Sequence, residues 1–584
     1  MDRDAAYTLE FRSDRTARGP RRGIAALLAL GALLASLPAA AQQRGVFGTG
    51  SGRGPGFPGS SSSSYSGDVV RFLEQATFGP TDALAKSVQK QGIRGYLDAQ
   101  LNSKVSSYPD FSQVPDNSSV GCPTGSPSTC VRDNYTLYPL QVRFFQNALN
   151  NEDQLRQRVA LALHEILVVS GVKLPRPKQM GPYLNMLLDN AFENYRKILY
   201  DLTVSPAMGR YLDMVNNDAP NPKSNVTPNE NYAREVLQLF SVGVDLLNPD
   251  GSPQLDRSGN TIPTYTQDNI EDLAHVFTGW TYAPIPPAAS VRHNPANYSA
   301  PMVLYRDANG KDVNHDKSAK VLLSYRGAVH MNIPADQDGE QELNDAIDNI
   351  FHHPNVGPFI GRQLIQHLVT SNPSPAYVAR VTRVFNNNGA GVRGDMKAVI
   401  RAILLDSEAR GTSKSQADYG HLREPVLFLT NILRAVGASS DGILMNQANA
   451  MGQNLFNPAT VFSYFPYDFE LTGTDTDAPE FGIVTSLSAI NRANLVNTLT
   501  FSRINVAAPD PGTALDLTSL TALAADPNAL LAFLNQLLMH GAMPADMLAT
   551  VKDAVTAIPA TNPLLRAQTA LYLVASSSQY QVAR

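Results

Sequence analysis

Cysteine is nearly missing from this chain: 584 residues hold two, Cys122 and Cys130. Two thiols without matching histidine spacing exclude a disulfide-dense miniature fold and a cysteine-ligated zinc site. Trp280 is the single tryptophan, and the ten histidines are scattered. His164-Glu165 has no second histidine four residues on, so the zincin pattern is absent. There is no Gly-x-Ser-x-Gly elbow, no P-loop and no GxGxxG following a strand, which removes the familiar nucleophile and nucleotide chemistries. No basic block occurs in the body of the chain, where 47 Lys and Arg face 52 Asp and Glu overall. The electrostatic footprint of a nucleic-acid binder is therefore lacking. Long apolar runs are scarce too. The run from Ile24 to Leu37 is too short for a comfortable membrane span, and nothing later is longer.

What is present begins with an address. Arg18, Arg21 and Arg22 precede that apolar run, and Pro38 and the small residues Ala39, Ala40 and Ala41 follow it, the layout of an export signal cleaved after Ala41. An uncleaved anchor is the alternative, and the Arg21-Arg22 pair leaves Sec and twin-arginine export both open. The mature protein is expected to be periplasmic or extracellular, without a membrane span. Residues 42–67 are rich in Gly, Ser and Pro and read as a flexible tether. In an oxidising compartment Cys122 and Cys130 are expected to close a small loop, with free thiols as the alternative.

From Asp68 onward the apolar spacing is helical, which predicts an all-α, multi-helix array with a small β-hairpin and long irregular loops. Residues 68–510 are expected to form the main helical domain, with a helical segment 511–584 packed on it. Helices are predicted near 137–149, 152–169, 182–202, 340–352, 355–370, 375–386, 393–406 and 422–436. Thr81 and Thr266 are N-cap candidates, and turn signals in 248–265 predict the hairpin. His164, His352, His353 and His367 are placed as core or helix-end residues. The aromatic stretch 445–482 reads mainly as core, with a binding surface as the minority view.

The stretch from Thr227 to Gly243, TPNENYAREVLQLFSVG, has the strongest end signals: Thr227 as cap, Pro228 in the first turn, Glu230 three residues after the cap, and Gly243 at the end. Tyr232, Val236, Leu237, Leu239 and Phe240 fall on one apolar arc, opposite Asn231, Arg234, Glu235 and Gln238. If Glu235 lies beside an apolar wall, its proton affinity rises enough for acid or base work, with Arg234 or His315 holding an anionic group. The opposing reading is a solvated face carrying ordinary i,i+4 pairs. Residues 283–335 form a loop long enough to roof a functional surface, carrying His293, His315, Asp316, Lys317 and Lys320. The candidate catalytic set is Glu235, Arg234 and His315. Asn229, Asn231, His275, Trp280 and Lys320 are the candidate substrate contacts. No metal site or cofactor is read from the sequence.

These motifs carry a resemblance. RFLEQATFGPT at Arg71, RQRVALALHEILVVS at Arg156, SPAMGRYLDMVNN at Ser205, PNENYAREVLQLFSVGV at Pro228, YTQDNIEDLAHVFTGW at Tyr265, HDKSAKVLL at His315 and LREPV at Leu422 resemble the bacterial family catalogued as domain of unknown function 1800. The resemblance covers nearly all of the expected mature chain. It implies a helical, exported protein and a companion from a secreted, sulfatase-like family, and it brings no catalytic residue. The expected role is binding or helping to process an extracellular or envelope polymer such as polysaccharide. The alternatives are a hydrolase or lyase using Glu235, and a structural or assembly partner.

Overall fold

Side-chain caps set many of the helix starts. In the computed structural model, which describes residues 65–584 apart from 222, 224–225, 412–415, 417 and 506–509, Ser66 accepts from the Val69 amide at the head of Gly67–Ala76. Thr81 accepts from Leu84 at the head of Asp82–Gln91. Asp338, Ser374 and Asp395 do the same for Gly339–His352, Pro375–Asn386 and Met396–Leu405. Thr266 and Asn269 form a reciprocal capping box on Gln267–Val276. Each such oxygen satisfies an amide that the helix itself leaves without a partner. The expected export signal and most of the tether lie outside the described residues.

The architecture is mainly helical, with only two-stranded antiparallel pairs, as the spacing predicts. Trp280 pairs with Leu304, Lys320 with Ile333, His421 with Ala583 and Ala438 with Leu515. The segment 245–263 closes as a ladder of single bridges, Asp245 to Pro263 and Leu255 to Thr261 among them. Cys122 and Cys130 are joined. Among the described residues no helix is long and apolar enough to cross a membrane.

Two predicted elements need correction. The helix expected over 182–202 is two helices, Pro177–Asn190 and Tyr195–Thr203. Asn194 breaks it, because its side chain accepts from the Arg196 amide and starts a new helix, while the Tyr195 amide turns to the Gly394 carbonyl. The helix expected from Pro228 begins instead at Asn231 and ends at Gln238. Thr227 does not cap it. Asn229 Oδ1 takes the Asn231 amide at 2.9 Å, and the Glu230 carboxylate reaches forward to Arg234 rather than back to Thr227. Gly243 still takes the left-handed conformation (φ 72°) and closes the turn after the helix.

The most deeply set helix is Gln154–Ile166, in which every residue is buried, the polar ones included. A helix buried on all sides must satisfy its polar groups inside the protein. Arg156 donates to the Leu188 carbonyl and Arg158 to the His367 carbonyl, both at 2.9 Å. Arg434 acts similarly from Pro425–Val436, donating to the carbonyls of Gly79 (2.7 Å), Ala148 (3.1 Å) and Leu149 (2.8 Å). These arginines tie segments far apart in sequence into one core.

Candidate functional site

The residues expected to be catalytic fall into two neighbourhoods. Arg234 pairs with Glu230 at 2.9 Å and reaches Gln267 at 3.3 Å, so its partners come from its own helix and the capped end of Gln267–Val276. Glu235 is half-buried, and its enclosed Oε2 has no hydrogen-bond partner. Burial raises its pKa to about 7 against the pull of Arg234. Asn229 is held structurally, its amide donating to Asn217 Oδ1 at 2.8 Å. Asn231 is half-buried beside it.

His315 belongs to a different, fully enclosed cluster. Its Nδ1 donates to the Thr278 carbonyl at 2.9 Å, and its Nε2 stands 3.1 Å from Glu342. Lys320 lies 2.8 Å from the same Glu342 oxygen, and neither side chain is exposed. Lys320 also donates to the carbonyls of Asp316 and Ser318. His275 is 3.3 Å from Asp316 at the edge of this cluster. Burial works to raise the Asp316 carboxyl, but the neighbouring His275 and then hydrogen bonds from Ser318 outweigh it and hold the group well below its usual range. Trp280 is 3% exposed, so its ring packs inside the protein rather than offering a sugar platform.

A third group, in none of the predicted sets, has the geometry of a working centre. Glu165 comes from Gln154–Ile166, His367 from the last turn of Val356–Leu368, and Glu424 from the cap position of Pro425–Val436. One potential ligand atom from each of the three lies within 4.8 Å of the others. His367 Nδ1 is 3.2 Å from Glu165 Oε2 and 3.9 Å from Glu424 Oε1. Gln453 holds the far side of both acids: its Nε2 donates to Glu165 Oε1 at 2.9 Å and to Glu424 Oε2 at 2.6 Å. The orientation of Gln453 is fixed by the Val426 amide, which donates to its Oε1.

The electrostatics of the cluster are divided. Burial and the neighbouring Glu424 push the Glu165 carboxyl up. At Glu424 burial is outweighed by His367, Arg158 and Gln453, which hold it down. Burial also opposes charge on His367, but the two carboxylates overcome it and raise its pKa to about 10. A third acid, Glu480, accepts from Ser371 Oγ at 2.8 Å, and burial lifts it to about 8. Acids at different proton affinities around one imidazole can hold and move protons, and they can hold a cation.

Glu165, His367 and Glu480 line a narrow cavity of about 30 Å³ together with Gln363, Gln366 and Ser463. Phe462, Phe465 and Tyr467 line it as well. Phe465 is buried, whereas Phe462 is 45% exposed. The 445–482 stretch is thus both core and rim. Ser463 sits at φ 65°, a conformation that a non-glycine residue keeps only when its surroundings enforce it.

Sequence reading missed this centre because its polar residues sit on helices whose other faces are apolar, and polar faces are read as facing water. Gln363, Gln366 and His367 recur at i, i+3 and i+4 in the otherwise apolar VGPFIGRQLIQHL. That was the available signal.

Helical array and buried centre together define the class: a mainly helical protein that gathers two carboxylates and an imidazole, oriented by one amide, beside an aromatic-lined cavity. The family model described as "Protein of unknown function (DUF1800)" matches residues 71–582, and the chain belongs to that family. No curated protein and no solved structure matches it.

Proposed function

We propose that this is an exported protein acting on an extracellular or envelope polymer, polysaccharide by preference, at the cavity lined by Glu165 and His367, with Glu424 behind them. The observation that carries the reading is the convergence of those three side chains, from three separate helical segments, beside a cavity that Phe462 and Tyr467 also line. Aromatic faces beside amide groups suit a sugar, which offers both C–H faces and hydroxyls. The cavity admits one or two waters, so the polymer lies across the rim and only the reacting group enters. A secreted sulfatase-like protein is the proposed companion. The helical segment 511–584 is proposed as an integral part of the main domain.

The test is turnover of a panel of neutral and anionic bacterial polysaccharides, read as new chain ends. Glu165→Gln and Glu424→Gln are each expected to lower turnover by at least about 100-fold while polymer binding persists. Unchanged turnover in both variants would refute the site.

A second reading places hydrolase or lyase chemistry at Glu235 with Arg234 and His315. It is favoured by the unpartnered, largely buried Glu235 oxygen and the carboxyl raised to about 7. Glu235→Gln separates the two sites. If the unaltered chain changes no polymer of the panel, a structural or assembly role stands in their place.

A further inference from the structure

We infer that Glu165 Oε2, Glu424 Oε1 and His367 Nδ1 are the three protein ligands of a divalent transition-metal ion, Zn²⁺ in first place, which serves as the electrophile of the cavity. This rests on reading that cavity as the working site.

The distances fit ligands that share an ion. Bonds of about 2.0–2.2 Å at tetrahedral angles put ligand atoms roughly 3.3–3.6 Å apart. His367 Nδ1 stands 3.2 Å and 3.9 Å from the two carboxylate oxygens. Glu165 Oε2 is enclosed and has no hydrogen-bond partner, although Nδ1 is so near.

The surroundings also fit. Gln453 occupies the outer oxygen of each carboxylate and leaves the inner ones free, which is how supporting residues orient metal ligands. Two carboxylates balance a doubly charged cation, and the imidazole binds it by giving up its Nδ1 proton. One nitrogen and two oxygens suit Zn²⁺ or Mn²⁺ better than Ca²⁺ or Mg²⁺, which prefer oxygen alone. Three protein ligands leave a fourth position, and the adjoining space of about 30 Å³ has room for a bound water. That is the layout of a catalytic site rather than a closed structural one.

The experiment strips the purified full chain with a chelator and titrates it with ZnCl₂ and, in parallel, with CoCl₂. One ion per chain is expected, and X-ray absorption of the Co²⁺ form should show one imidazole among oxygen donors. His367→Ala and Glu424→Gln should weaken Zn²⁺ binding by about 100-fold or more, and Gln453→Met by about tenfold. His293→Ala, at an exposed histidine, should leave it unchanged. Stoichiometric binding that survives His367→Ala and Glu424→Gln would overturn the assignment, as would no binding at all. Should those variants fail to fold, the Co²⁺ spectrum of the unaltered chain decides, since a shell without imidazole overturns it. Metal binding without any polymer turnover would remove the polymer reading and leave the metal site standing. Full turnover by the metal-stripped protein would remove the metal and leave the polymer reading.

Discussion

His353 gives a pH dependence whose sign and size follow from its contacts. Its side chain is almost fully enclosed, 1% exposed. Nδ1 accepts a hydrogen bond from the Asn355 amide at 3.1 Å, so that nitrogen carries no proton in the folded state. Arg393 donates to the His353 carbonyl at 2.9 Å, and the Tyr325 ring packs edge-on with centroids 4.7 Å apart. Burial, and secondarily the Arg393 charge, lower the pKa from 6.5 to about 4. A base that binds its proton less readily when folded contributes full stability above its unfolded pKa and loses it as pH falls toward the folded value. The window is therefore 6.5 down to about 4. With those two values, lowering the pH from 7 to 5 costs about 2 kcal/mol at this one residue. His353→Asn isolates the effect, because an asparagine oxygen two residues before the Asn355 amide can accept the same bond and does not titrate. The assay is urea unfolding followed by emission of Trp280, the chain's single tryptophan, at pH 7 and pH 5. The variant should lose about 2 kcal/mol less than the parent over that interval. Identical losses in both proteins would refute the reasoning.

Other perturbations probe other contacts. Arg434→Met should destabilise the fold by about 3 kcal/mol in the same urea assay, because the carbonyls of Gly79, Ala148 and Leu149 lose their shared donor. Glu342→Gln leaves Lys320 buried beside His315 without its main counter-charge and should cost about 3–5 kcal/mol, while Glu342→Leu combined with Lys320→Met should recover much of that. Replacing Cys122 and Cys130 by serine opens a loop of eight-residue separation, with an expected loss of about 2–3 kcal/mol that calorimetry under non-reducing conditions would detect.

Much of the fold was legible because helices announce themselves locally. Thr81 and Thr266 are polar caps followed by apolar spacing, and both cap as expected. Where local signals competed, the outcome turned on tertiary contacts. Thr227-Pro228 has the signals of a helix start, but the Asn217–Asn229 pairing keeps that segment out of the helix, which begins at Asn231. The candidate residues on the Asn231–Gln238 helix proved half-buried, neither solvated nor enclosed. His315 and Lys320 were marked as loop residues that roof a surface, yet they close on Glu342 inside the protein. The Glu165, His367 and Glu424 centre was illegible for a different reason. Its members are far apart in sequence, and none carries a spacing signal that points to the other two. Only their convergence shows that the three facing polar sides exclude bulk water between them.

The pairing of His421 and Leu422 with Ala583 and Val582 has a consequence for biogenesis. Arg423 donates its amide to Gln581 and its guanidinium to Glu74, and Tyr580 binds Asn431, so the stretch that presents Glu424 is gripped from residues made more than a hundred positions later. A growing polypeptide can lay down the Glu165 and His367 helices early, but it cannot lock the second acid, Glu424, in place until residues 580–583 have been synthesised. The centre is therefore finished last, and a nascent or clipped chain would carry its parts unassembled.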